Sequence, residues 1–300
     1  MFIKLLKKLG FTLEESSWIM YDIGNSAQSL TTMTVLFPLL IAFIAPENEG
    51  SIWTGWANTI YALIIALMSP VLGTIADYKD QKMKFFKFFL TIGVIFGALL
   101  ALPIFDYKMC VILYAIAMIG YTAANIFYDA SLNDVTCDER IHKVSSAGYA
   151  YGYIGSALPF MLFIIPFAAV TLFGNEAGDL VIGSFTLTYR VAIMISMIAA
   201  VCWWAYHSRH MVRNVKQKHY HEPEDHYIRK SFERLVTTFK NISQHKNIFI
   251  FCMHENHIRN LFFLCHFIKL GNNSVGKLLP PHILMALRLT FPYSQHIVKH

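Results

Sequence analysis

The sequence predicts an all-α polytopic membrane protein, and three observations carry the prediction. Six long apolar runs fill the chain up to about Ser208, charge alternates between their connections, and within each run apolar residues are continuous. The runs cover residues 26–45, 53–76, 85–105, 109–129, 145–173 and 187–206. Each is close to the ~20 residues a helix needs to cross a ~30 Å hydrocarbon layer. Lipid offers backbone N–H and C=O groups no partner, so such a run is either helical or part of a closed barrel. Barrel strands alternate apolar and polar residues, which these runs do not. A mean hydropathy of +0.45 and 55% hydrophobic residues also exclude an ordinary soluble domain.

Charge placement orients the spans. Lys4, Lys7 and Lys8 precede the first run, and Lys79, Lys82, Lys84 and Lys87 surround the second connection. Arg140 and Lys143 lie in the fourth, and Arg209, Arg213, Lys216 and Lys218 follow the sixth run. The first and fifth connections are acidic instead, with Glu47 and Glu49, then Glu176 and Asp179. The third, residues 105–108, holds Asp106 beside Lys108. Basic loops resist translocation, so the amino terminus and both ends of the six-span unit are expected in the cytoplasm. The net charge of +6 is accounted for by these loops, and no nucleic-acid partner is expected. Glu14 and Glu15 interrupt residues 11–18 and no small-residue cleavage site follows, so the first span reads as uncleaved.

Ionisable and amide groups inside spans are costly and ask for a partner or a function. Around the first span Tyr21, Asp22, Asn25, Ser26, Gln28, Ser29 and Thr32 recur at three- and four-residue intervals, a polar stripe on one helical face. Tyr121, Asn125, Tyr128 and Asp129 repeat the pattern in the fourth span. Two such stripes, on the spans that open each three-helix half, suit the lining of a cavity for a small-molecule solute. The bland alternative is that Asp22 and Asp129 cap or pair in the wet interface. A proton-carrying role for either would require strong desolvation. In the fifth span Gly148, Gly152, Gly155 and Ser156 put small residues on one face, where helix backbones can approach closely. Tyr149, Tyr151 and Tyr153 flank them, one within reach of the cavity. Arg190, at the outer end of the sixth span, either snorkels to the interface or pairs with a buried acid or anionic substrate.

Three regions are expected: a six-span bundle at 1–208, a basic cytoplasmic loop at 209–246, and an aborted seventh span with an irregular tail at 247–300. Within the loop, Ile228, Phe232, Leu235, Val236 and Phe239 sit at helical spacing. They read as an amphipathic helix on the membrane surface or the bundle, or as a plain linker helix. After Phe251 a dense polar stretch containing His254, Glu255, Asn256, His257 and Arg259 breaks the apolar pattern. The His residues of the tail are irregularly spaced, and Cys110, Cys137, Cys202, Cys252 and Cys265 form no close pair, so neither metal nor cofactor is expected. No nucleophile–base arrangement, HExxH, phosphate-binding loop or dinucleotide fingerprint occurs, so no enzyme activity is expected.

The second connection, Gly73-Thr-Ile-Ala-Asp77-Tyr-Lys79-Asp-Gln-Lys82-Met-Lys84, resembles the signature loop of the major facilitator superfamily. Asp80-Gln81 stand where that pattern has a second glycine. The stretch from Ser17-Trp18 through Tyr21-Asp22 and Asn25-Ser26-Ala27 is similar to the vacuolar amino-acid effluxer-like branch, related to the autophagy permeases. So are residues 125–134, 140–146 and 148–155, and Tyr189-Arg190. Where Asp129 stands, the branch more often has an amide. The resemblance covers residues 14–251. It implies the amino-terminal half of a twelve-span fold, made of two inverted three-helix repeats. It also implies export of small solutes, amino acids among them, from the inner or plasma membrane of a bacterium. Gly73, Asp77, Lys79, Lys82 and Arg140 would form a conformational latch. The expectation is a chain cut short near Phe251 by a frame change or truncation. It would then need a second half or self-association, or act as a non-transporting accessory protein.

Overall fold

The computed structural model describes residues 2–46, 49–175, 178–221 and 233. The chain forms two units, Met1–Asp225 and His226–His300, and only Glu233 of the second is among the described residues. Apart from Glu233, the expected amphipathic helix, the seventh-span start and the tail therefore lie outside the described residues, as do Glu47 and Glu176.

A short helix, α1 (Phe2–Lys8), turns at Gly10, whose φ of +84° suits a residue without a side chain, and leads into α2 (Leu13–Gln28). Thr12-Leu-Glu-Glu15 starts α2 with a reciprocal cap. The Glu15 N–H donates to the Thr12 hydroxyl at 3.1 Å, and the Thr12 N–H donates to the Glu15 carboxylate at 2.8 Å. A π-helical stretch, Ser29–Leu36, and α3 (Phe37–Ile44) complete a first span from Leu13 to Ile44. It starts well before the apolar run at residue 26. The polar residues of its first half are buried against protein rather than lipid, so hydropathy does not register them.

The next three spans are α4 (Glu49–Ala76), α5 (Gln81–Leu100) and α6 (Tyr107–Ala130). A turn of helix, α7 (Leu132–Val135), and a 3-10 turn (Asp138–Arg140) connect α6 to α8 (Ile141–Phe163). The fifth apolar run is not one straight helix: α8 and α9 (Ile165–Phe173) meet at a bend of 45°. Pro166, at the start of α9, has no N–H to continue the ladder of α8 and its ring crowds the preceding turn. An unexpected hairpin follows, β1 (Asp179–Ile182) antiparallel to β2 (Phe185–Thr188), turning at Gly183 with φ of +62°. The Thr188 hydroxyl caps α10 (Tyr189–Asn214), which continues about two turns past the expected end at residue 206. Ser208 and Met211 are fully buried there, so packing carries the helix through the basic stretch of Arg209 and Arg213. Among the described residues, five helices are long and apolar enough to span a membrane, and six if the bent pair is one span.

Counting α2–α3 as the first span and α8–α9 as the fifth, the main packed pairs among the described residues are third–fourth and first–sixth, first–fifth and second–fourth, second–third and fifth–sixth, and third–sixth, with smaller contacts of α3 against α4 and α6. Exchanging the first three spans for the last three maps these main pairs onto one another, while the smaller first–second contact through α3 and α4 has no fourth–fifth counterpart of similar extent among the described residues. That is the pattern two inverted three-helix repeats generate. The α5–α6 crossing is made by Gly93 and Gly120, where a Cβ on Gly120 would run into the Gly93 backbone. Along α4, Ile52, Trp53, Trp56, Ile60, Leu63 and Leu67 are all exposed at helical spacing, an apolar face that no described residue covers.

Candidate functional site

The two polar stripes meet through α2 and α6. Tyr21 is fully buried, and its hydroxyl donates to Asn125 Oδ1 at 2.8 Å. Its ring lies 4.5 Å from that of Tyr128 and meets Phe86 edge-on at 5.3 Å. One turn earlier, Trp18 stacks on Tyr128 at 4.4 Å, and its indole N–H donates to the Tyr128 carbonyl at 3.1 Å. One turn later, the Tyr121 hydroxyl reaches the Asn25 carbonyl at 3.5 Å. Asn25 is itself 8% exposed, and its side-chain oxygen accepts no hydrogen bond among the described residues. An unpaired buried amide oxygen is costly, and it is an acceptor waiting for a donor. Gln28, also buried, accepts from the Thr32 hydroxyl at 3.2 Å.

The small face of α8 closes on this group. A Cβ on Gly148 would stand 2.5 Å from the Trp18 ring, and one on Gly155 would stand 2.9 Å from Ile23. On Gly152 it would stand 2.5 Å from the Asp22 carboxylate and 3.2 Å from the Ser26 hydroxyl. All three glycines therefore face α2, and Gly152 makes the space in which Asp22 sits, half-buried. Asp129 and Tyr149 are exposed and are not part of the buried cluster. Arg190 is at the other end of the bundle, where its guanidinium donates to the Phe105 carbonyl. It pairs with no buried acid among the described residues, and its carbonyl partner lies in the connection between α5 and α6.

A second polar network covers the end of the bundle where α2 begins and α10 ends. Lys82 is paired with Asp134 at 2.6 Å, and also donates to the Ala130 carbonyl at 3.0 Å. Arg140 grips Glu15 with two N–H donors at 2.8 and 2.7 Å and donates to the Gly10 carbonyl at 2.9 Å. The Thr136 hydroxyl donates to the same Glu15 at 2.8 Å. Beyond α10 the chain crosses this face as a strap. The Lys218 and His219 N–H groups both donate to Asp134 at 2.9 Å, and Lys218 pairs with Glu14. Gln217 donates to the Ala76 carbonyl at 2.8 Å, and His221 exchanges backbone hydrogen bonds with Asp77 and Lys79.

Of the expected latch residues, Lys82 and Arg140 thus hold buried acids, Asp77 and Lys79 take part through their backbones, and the Asp77 side chain is exposed. Gly73 makes no close helix contact, since a Cβ there would meet nothing within 4 Å. The acids that complete both pairs, Glu15 and Asp134, were not singled out as site residues in the sequence. Thr-x-x-Glu before an apolar stretch could have marked Glu15 as a cap, but nothing local marks its partner.

Among the described residues, a bundle of five or six membrane-length helices with largely repeat-symmetric packing and a polar seam between its first and fourth spans defines a polytopic membrane protein of the major facilitator kind. The chain belongs to the family described as vacuole effluxer Atg22 like, which it matches over residues 51–136 and 130–254. It is similar to the uncharacterized MFS-type transporter YxiO of Bacillus subtilis (strain 168), with 36% identity over 249 residues. The match takes in 81% of this chain and 56% of YxiO, so the chain spans about half the length of that curated relative. No solved structure matches the chain.

Proposed function

We propose that these spans supply one half of a secondary transporter that moves small solutes by alternating access, with a second half coming from further sequence, another polypeptide or a second copy. The observation that carries this reading is the junction of the two polar stripes at Tyr21 and Asn125, with Asp22 and the unsatisfied Asn25 oxygen beside it. Polar groups of this density inside membrane-length helices are costly unless they serve a pathway. A carboxylate next to an amide acceptor suits the ammonium group of an amino acid. The basic ends of the spans favour a cytoplasmic amino terminus. Rocking of one half against the other would expose the seam alternately, with the Lys82–Asp134 and Glu15–Arg140 pairs holding one of the states.

Proteoliposomes loaded with unlabelled amino acids test this by exchange with labelled ones, using the chain alone and together with the remaining half of the Bacillus relative. Exchange is expected with both halves present, and to fall about tenfold, ~1.4 kcal/mol, in Asp22→Asn and Asn25→Ala. Undiminished exchange in those variants would remove the seam as the site. No exchange of any solute tried would remove the transport reading. Crosslinking decides the source of the second half: a single dimer of the chain that exchanges solute by itself supports self-association.

A further inference from the structure

We propose that α1 is an interfacial anchor that binds anionic phospholipid headgroups of the leaflet at its end of the bundle. The seven residues of α1, with Leu9 just after it, divide into three faces at about 100° per residue. Ile3 and Leu6 point into the protein: Leu6 is 1% exposed and belongs to the main core cluster, with Ile3 packed against it. Phe2, Leu5 and Leu9 share a second face and are 38%, 48% and 47% exposed. Lys4, Lys7 and Lys8 form the third, are exposed, and have no acidic residue in the helix to offset them.

The placement selects lipid over water or protein as the occupant. Arg140 ties the Gly10 carbonyl to the start of the first span, so α1 is held at the level where that span leaves the hydrocarbon. A helix at that depth, with one face on the bundle, has lipid beside it. Its exposed Phe and Leu side chains enter the acyl boundary, while the lysines on the remaining face meet phosphates. Lys143 stands over the Phe11 ring at 5.2 Å and adds a fourth cation next to the turn.

The test uses the full chain in nanodiscs of phosphatidylcholine, with or without phosphatidylglycerol, and reads hydrogen exchange of the backbone amides of residues 2–9. Exchange is expected to slow about tenfold when phosphatidylglycerol is present, and the effect should vanish in a Lys4→Gln/Lys7→Gln/Lys8→Gln variant. A Lys84→Gln/Lys87→Gln variant should keep it. Equal exchange in both lipids overturns the proposal, as does an undiminished effect in the triple variant. Inorganic phosphate added to phosphatidylcholine discs should not reproduce the protection; if it does, a free anion rather than lipid is bound and the proposal fails. Native mass spectrometry provides an independent reading, with phosphatidylglycerol retained over phosphatidylcholine by the unmodified chain.

Discussion

Lys82 and Asp134 form an ion pair sealed from solvent, 2.6 Å apart with side chains 6% and 0% exposed. Two charges in such a place cost several kcal/mol each unless their remaining hydrogen-bonding capacity is filled. Here the ammonium also meets the Ala130 carbonyl, and the second carboxylate oxygen takes the Lys218 and His219 N–H groups. One acid thereby ties the start of α5, the end of α6 and the strap after α10 into a single unit.

Asp134→Ala should cost about 3–5 kcal/mol, because it leaves Lys82 buried without a counter-charge. Lys82→Met combined with Asp134→Leu should recover part of that loss but not the strap, whose two N–H groups still lose their acceptor. Thermal unfolding in detergent checks both, and an unchanged midpoint for Asp134→Ala would contradict the arrangement.

Arg140→Lys should destabilise nearly as much as Arg140→Ala. The two parallel hydrogen bonds to Glu15 need a planar fork, which a lysine ammonium cannot supply. Glu15→Ala should be worse than either, since it also removes the cap on Thr12 and the acceptor for Thr136. Proteolysis of the Cys137 to Arg140 turn offers a local readout, with faster cleavage expected in all three variants.

Two glycine substitutions should behave oppositely. Gly120→Ala drives a methyl group into the backbone of Gly93 and should cost about 1–3 kcal/mol or more, because neither helix can yield without losing its packing. Gly73→Ala has open space and should leave stability unchanged or slightly raised. Equal effects at the two sites would show that the α5–α6 crossing is looser than described.

Tyr21→Phe removes the donor to the partly buried Asn125 and should cost about 0.5–1.5 kcal/mol, the net worth of a typical intramolecular hydrogen bond. Pairing it with Asn125→Val should cost less than the two single changes added together, because the second removes the stranded acceptor. Strict additivity in unfolding measurements would mean that the hydrogen bond does not form.

Hydropathy is a local property, so most of the bundle was legible residue by residue. The runs at 53–76 and 109–129 fall within α4 and α6, and the run at 85–105 covers most of α5 but overruns its end at Leu100 by five residues. The legible part ends where a helix turns its polar side to protein. Leu13 to Gln28 carries two glutamates and an aspartate yet is mostly buried, so the first span began earlier than its apolar run. The last helix outran its apolar run for the same reason. The bend at Pro166 and the hairpin at Gly183 depended on single residues whose effect is hidden by the apolar residues around them.

The sequence by itself determined that this protein lives in a membrane, roughly where its apolar spans run, and which polar residues inside them need an explanation. Those conclusions follow from lipid's refusal of backbone and charged groups, which acts on each segment separately. Only the tertiary structure decided which of those residues meet. Tyr21 and Asn125 are 104 positions apart, and Glu15 and Arg140 are 125 apart. Their pairing depends on how helices cross at small residues such as Gly120 and Gly148, a property of the packed bundle that no single segment contains.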